Sequence, residues 1–381
     1  SFYIRGEYQH SPFASGYSDA ARQAIAAADG NPLLPYQPFA EKNLVTLLDS
    51  YVGFTWANNQ FTVGKQSLWW GPGRSTSLLL SDNAEPIFMV RFNRVSPIKM
   101  PSFLNRIFGP VYSDMFFGRL DGHSFPPKPF AYGQKISFKP TPNLEFGFSR
   151  FAVFAGEGVT PLTFHTFFHS IFSFGSQDKG TRNDPGDRRA TADFAWRLPK
   201  LRDWATLYAE GLVDDDPSPL AAPRRAAWNP GLYLSHLPKL NKMDLRLEAV
   251  YTNVPVSPSV GGKFIYWEII YHDSHTNDGN LLGSWIGREG NGYTAASTYW
   301  FSPRTSLQFD YRNMQVASDF IAGGVTLHDG SVKANVRLKN EWSLYTVLQY
   351  EHVNAPVLAL NHKSNLTTSV QLTFEPKWGR H

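Results

Sequence analysis

The most chemically loaded string in this 381-residue chain is Trp69-Trp70-Gly71-Pro72-Gly73-Arg74. Each indole offers a flat apolar face and one N–H, and the guanidinium that follows offers planar donors. Such groups stack on sugar C–H faces and grip carboxylates bidentately. Gly71, Pro72 and Gly73 read as turn residues. The two tryptophans also fit an interfacial belt, since Trp concentrates where a membrane meets water. An aromatic beside charge recurs at Trp285, Arg288 and Glu289, near a tight turn, where an internal ion pair explains the charges equally well. Arg224 and Arg225 follow three carboxylates, Asp214, Asp215 and Asp216. Oxygen-rich loops can hold Ca²⁺, but this spacing is not that of a helix–loop–helix calcium site. The three aspartates are therefore expected to pair with the arginines and stand only as weak metal candidates. His165 and His169 are four apart, as zinc ligands on a helix are, yet no acid lies near them. His272 and His275 flank Asp273 in an expected turn and carry no stronger signal.

Catalytic arrangements do not appear. The sequence has no G-x-S-x-G, no H-E-x-x-H and no phosphate-binding loop. With no cysteine, a thiol nucleophile and a thiolate metal site are excluded. The expectation is a protein without enzymatic activity and without a cofactor.

The elements that must position these side chains are strands. Leu245, Leu247 and Ala249 alternate with Asp244, Arg246 and Glu248. Leu307 and Phe309 alternate with Gln308, Asp310 and Arg312, Val332 and Val336 with Lys333 and Arg337, and Val370 and Leu372 with Gln371. Successive strand side chains point to opposite faces, so each segment has one apolar and one polar face. The runs approach ten residues, the length a tilted membrane-spanning strand needs. Short links such as Leu237-Pro238-Lys239 alternate with long polar loops at 156–187, 213–226, 315–330 and 353–366. Outer-membrane barrels have short turns at one end and long loops at the other. The pattern predicts an all-β fold: a transmembrane antiparallel barrel of about 18 strands. Two of these, 263–271 and 281–288, keep the strands on either side of them in opposite sense. The whole of 1–381 is expected to be one barrel. An insert over 11–43 carries a short helix at 19–28, capped by Ser18 and ended by Gly30, which is a candidate lumen plug. A second short helix is expected within 97–108. The start at Ser1, already in a strand pattern, is read as processed or clipped.

Composition agrees. Hydrophobic residues make up 42% and aromatics 15%, which excludes intrinsic disorder. Charged residues are 18%, below the roughly 25% of soluble domains. A net charge of +4 is not a nucleic-acid footprint.

The strings Trp69-Trp70-Gly71-Pro72-Gly73, Ser81-Asp82-Asn83-Ala84, Asp214-Asp215-Asp216-Pro217 with Pro223-Arg224-Arg225, Leu282-Gly283-Ser284-Trp285-Ile286-Gly287-Arg288-Glu289-Gly290 and Tyr299-Trp300-Phe301-Ser302-Pro303 occur in this order. They resemble the Wzi capsule-assembly family from about residue 43 to 376. The resemblance implies an 18-stranded, helix-plugged outer-membrane barrel that acts as a surface lectin, with no catalytic residues to carry over. It also implies upstream residues that are missing here, which would leave the plug incomplete. The expected partners are capsular or extracellular polysaccharide, outer-membrane lipid and lipopolysaccharide, and envelope proteins. With the long loops outside the cell, Trp69, Trp70, Arg74, Arg224, Arg225, Trp285 and Arg288 are expected to form an outer mouth that binds acidic polysaccharide. The competing readings are a sugar- or anion-selective porin and a structural barrel in an envelope complex.

Overall fold

Alternation becomes strand geometry along almost the whole chain. The computed structural model describes residues 1–172, 180–183, 185–201, 203–214, 216–254, 262–339, 341–358 and 363–375. The strands are β1 (Phe2–Ser11), β2 (Lys42–Trp56), β3 (Asn59–Gln66), β4 (Ile87–Arg94), β5 (Val111–Arg119), β6 (Phe130–Thr141), β7 (Leu144–Phe154), β8 (Gly186–Arg197) and β9 (Ala205–Asp214). They continue as β10 (Ala227–Leu234), β11 (Leu245–Tyr251), β12 (Thr276–Asn277), β13 (Asn280–Leu281), β14 (Gly290–Ser302), β15 (Thr305–Val316), β16 (Val325–Arg337), β17 (Trp342–Asn354) and β18 (Lys363–Phe374). Sixteen of the 18 form a single sheet in chain order, and β12 and β13 pair as a separate two-stranded hairpin. All ladders are antiparallel, β1 and β18 are the outermost strands, and among the described residues no ladder joins them.

Two of the expected strands are corrected. Residues 263–271 are irregular, and of 281–288 only Leu281 is in a strand, the short β13. β11 pairs directly with β14. The parity requirement demanded an even number of strands between them, and zero meets it. The apolar residues that suggested strands serve another purpose: Ile265, Tyr266, Tyr271, Leu282 and Ile286 are buried in the central core cluster.

An antiparallel meander sends successive connections to alternate ends. One end carries 12–41, 67–86, 120–129, 155–185, 215–226, 252–289, 317–324 and 355–362. The other carries 57–58, 95–110, 142–143, 198–204, 235–244, 303–304 and 338–341. All four expected long loops thus share an end, opposite the Pro-marked turns. The 95–110 connection is the long member of the short-turn end and holds α2 (Ser102–Phe108). Helix α1 (Asp19–Asp29) forms where the sequence places it: the Ser18 hydroxyl accepts from Ala21 N, and Gly30 ends the helix at φ 69.

The two faces of the sheet sort by charge. Gln308, Asp310, Arg312, Asp329, Ser331 and Lys333 line the lumen, so Phe309 and Val332 point outward, where both are exposed. Cross-strand ion pairs lie on the inner face: Lys135–Asp193 at 3.0 Å, Arg312–Asp329 at 2.6 Å and Lys333–Asp310 at 3.1 Å. Leu247, Val370 and Leu372 are exposed in the outward phase. Total accessible surface is 21140 Å², against roughly 15,000 Å² for a soluble monomer of this mass. The outer face of the wall is exposed and apolar, as a barrel in lipid requires.

Candidate functional site

Two long-end connections fold inward instead of outward. Residues 67–86 bring Leu78 and Leu79 to complete burial. Residues 262–289 pack against them: Tyr266 Oη donates to Leu78 O at 2.5 Å, Ser81 N donates to Leu282 O at 2.7 Å, and His275 Nε2 lies 2.6 Å from Leu79 O. Two motif glycines are explained by close backbone approach, within 67–86 at Gly73 and between the two connections at Gly283. A Cβ on Gly73 would lie 2.3 Å from Thr76 O, and one on Gly283 would lie 2.3 Å from Leu78 O. Two wall carboxylates fix the inward fold. Glu210 on β9 accepts from Leu78 N at 2.8 Å. Glu248 on β11 accepts from Arg74 N at 2.7 Å, Ser75 N at 2.8 Å and the Tyr208 hydroxyl. The connections themselves therefore plug the lumen. Helix α1 is tied to the second of them, since Arg288 Nη1 donates to Asp29 Oδ1 at 2.7 Å and Trp267 Nε1 to Asp29 O at 2.8 Å.

Beneath this plug, in the short-turn half of the lumen, lies a cavity of about 850 Å³. Trp69, Arg74 and Trp285 form its plug side, and β10, β11 and β14 to β17 supply the wall, including Tyr233, Arg246, Trp300, Arg312, Lys333 and Tyr345. The cations lie over rings: Arg312 is 4.9 Å from the Trp285 centroid and Arg246 is 4.2 Å from that of Tyr233. Trp69 is held by its indole N–H, which donates to Gly73 O at 2.9 Å. Aromatic faces and guanidinium edges thus converge on one polar-lined space.

The structure divides the seven expected binding residues into four groups. Trp69, Arg74 and Trp285 meet in this cavity, on the short-turn side of the plug and not at the long-loop mouth. Trp70 is buried at 3% exposure, donates to Asp114 Oδ2 at 3.1 Å and packs on Phe116. Neither tryptophan faces lipid, because the strand ends at Gln66 and both belong to the inward fold. Arg288 is a pin, its guanidinium donating to Gly262 O at 2.8 Å as well as to Asp29. Arg224 and Arg225 stand apart at the long-loop end, on a short 3-10 turn (Pro223–Arg225). Arg224 is exposed, while Arg225 pairs with Asp216 at 3.3 Å. Asp214 turns inward to Arg189 at 3.0 Å, and Asp215 lies outside the described residues.

Burial dominates the titration of groups in the plug connections. It lowers His275 well below the usual histidine range, with nearby Arg189 acting in the same direction. It also lowers His123, which lies in the 120–129 connection with its Nε2 2.9 Å from Thr276 O.

Sequence reasoning missed Glu210 and Glu248 as plug anchors. It placed Arg246, Arg312 and Lys333 on the polar faces of their strands but did not join them to Trp69 and Trp285. The phase was the available signal: these cations share the lumen-facing parity of the wall.

Comparisons with known proteins agree with this architecture. Wzi of Escherichia coli, described as an outer-membrane protein involved in group 1 capsule assembly and a carbohydrate-binding β-barrel, superposes with a TM-score of 0.71. It is 19% identical, and the match covers 87% of this chain and 71% of that one. A 55.8 kDa Klebsiella pneumoniae protein from the cps region is 27% identical over 161 residues, 42% of this chain and 31% of that protein. The apolar outer belt and this fold make the chain an integral outer-membrane barrel. Residues 1–368 match the family of the capsule assembly protein Wzi. The chain belongs to the Wzi capsule-assembly family.

Proposed function

We propose that the protein is a non-enzymatic barrel that binds acidic capsular or extracellular polysaccharide and holds it at the cell surface, with the long loops outside. The observation that carries this reading is the lumen cavity. It sets Trp69, Trp285 and Trp300 beside Arg74, Arg246, Arg312 and Lys333, a combination that stacks on sugar rings and pairs with their carboxylates. Arg224, exposed at the opposite end, supplies a second contact on the outer side of the plug. Such contacts are individually weak, and retention comes from one long chain engaging many barrels. The inward-folded connections oppose the porin reading, since a barrel of 16–18 strands conducts only while its lumen is unfilled.

The test compares two double variants in cells that make an acidic capsule, with surface expression verified. Arg224→Ala/Arg225→Ala removes the outer contact, and Arg74→Ala/Trp285→Ala alters the cavity. Each is expected to move polysaccharide from the cell-associated to the released fraction. Wild-type retention in both would overturn the proposal.

A further inference from the structure

Trp69 also borders a second, smaller space in the lumen. Its volume is about 200 Å³, and Trp69, Tyr112, Asp114, Lys135 and Ser137 are among the residues that line it. β4, β5 and β6 supply its wall, whereas β10, β11 and β14 to β17 supply that of the large cavity. Tyr112 lies at the start of β5 and Ser137 toward the end of β6, so this space too is in the short-turn half. Strand parity puts its side chains inside. Tyr112 and Asp114 share the parity of Phe116, and Lys135 and Ser137 that of Ala131, both members of the luminal core. The β5–β6 ladder sets Tyr112 opposite Ser137 and Asp114 opposite Lys135.

The two spaces differ in charge. In the small one each charge has its counter-ion on the wall. Lys135 Nζ pairs with Asp193 at 3.0 Å, and Asp114 accepts from Arg91 Nε at 2.8 Å and Nη2 at 2.7 Å, and from Trp70 Nε1 at 3.1 Å. In the large cavity the Arg74 guanidinium has no carboxylate partner among the described residues. Tyr112 is 38% exposed, and among the described residues no ring packs on it and no group bonds its hydroxyl. The small space therefore offers a bare aromatic face and hydroxyl groups without net charge, in a volume that suits one sugar ring. An aromatic face stacks on sugar C–H groups whether or not the sugar is charged.

We infer that the two spaces are adjoining subsites for one saccharide chain, with Trp69 between them. The large cavity takes a uronate residue at Arg74. The small one takes a neighbouring residue of the same chain, held by its ring face on Tyr112 and by its hydroxyl groups at Ser137 and Lys135. Trp69 keeps the two in register, because its indole N–H is fixed to Gly73 O and its chain neighbour Trp70 to Asp114. The inference rests on the polysaccharide-binding reading and adds to it a second contact that does not depend on charge.

The test is calorimetric titration of the full chain in detergent with digalacturonate and with hexagalacturonate, at low and at high salt. Hexagalacturonate should bind more tightly, and its advantage over the shorter ligand should persist at high salt, because stacking is not screened. Tyr112→Ala should weaken hexagalacturonate binding about fivefold, as the loss of one aromatic face predicts. The same variant should bind digalacturonate as the wild type does, which also shows that it is folded. Tyr112→Phe, which keeps the ring, should retain most of the hexagalacturonate affinity. Wild-type binding of hexagalacturonate by Tyr112→Ala, or a length advantage that high salt abolishes, would overturn the inference and leave the binding reading in place. If neither ligand binds the wild type, the binding reading fails and the inference falls with it.

Discussion

Glu248 shows how much a single wall residue organises. Its carboxylate accepts from two consecutive backbone N–H groups, of Arg74 and Ser75, and from the Tyr208 hydroxyl. Glu248→Ala leaves those buried donors unpaired, at about 1.5–3 kcal/mol for each charge-assisted bond lost. The plug segment 74–79 should loosen, and limited proteolysis of purified protein should cut within 67–86 where the wild type resists. His275 makes the plug sensitive to acid. Its folded pKa lies below the unfolded value of roughly 6.5, so the unfolded chain binds the extra proton. Stability is then full above that value and falls as pH drops below it, by up to about 1.4 kcal/mol per pH unit. The thermal midpoint in detergent should fall between pH 7 and pH 5, and fall less in His275→Gln. Identical pH profiles for the two proteins would refute this role. The sequence singled out Trp69, Arg74 and Trp285 by side-chain chemistry, and the three line one cavity. It could not give their depth, because an inward-folded loop and an external one share the same polar, glycine-rich composition.

At the scale of elements, period-2 alternation was the legible signal, and it located the sheet strands, the two ends and the lipid face. It failed at 263–271 and 281–288, where buried residues pack in a plug with no period. Short apolar runs cannot distinguish these two environments. Helix α1 was legible because its caps are local: Ser18 and Gly30 act on their own neighbours. The inward fold of 67–86 was not, because Glu210 and Glu248 lie 132 and 174 residues from the groups they hold. The parity assignment predicts that Leu247→Arg, on the outward face of β11, costs about 2–4 kcal/mol near the bilayer midplane. Arg at the inward neighbour position 246 is native. Refolding titrations into lipid vesicles would measure the cost, and an unchanged stability would contradict the assignment.

For the whole molecule, the mixed charges of the inner face pair with one another along the wall, and the inward-folded connections divide the lumen. On one side is the cavity of Trp69, Arg74 and Trp285; on the other is the loop end that carries Arg224. This division suits a protein that holds a charged polymer better than one that conducts. The most direct measurement is binding of an oligogalacturonate, a defined uronic-acid chain, to purified protein in detergent, followed by tryptophan fluorescence and set against a neutral malto-oligosaccharide. The acidic ligand should bind, lose affinity as salt rises because hydrated charges are screened, and bind Arg74→Ala about tenfold more weakly, the equivalent of ~1.4 kcal/mol for one ionic contact. Equal binding of the neutral sugar, or salt-independent binding unchanged in Arg74→Ala, would contradict the account.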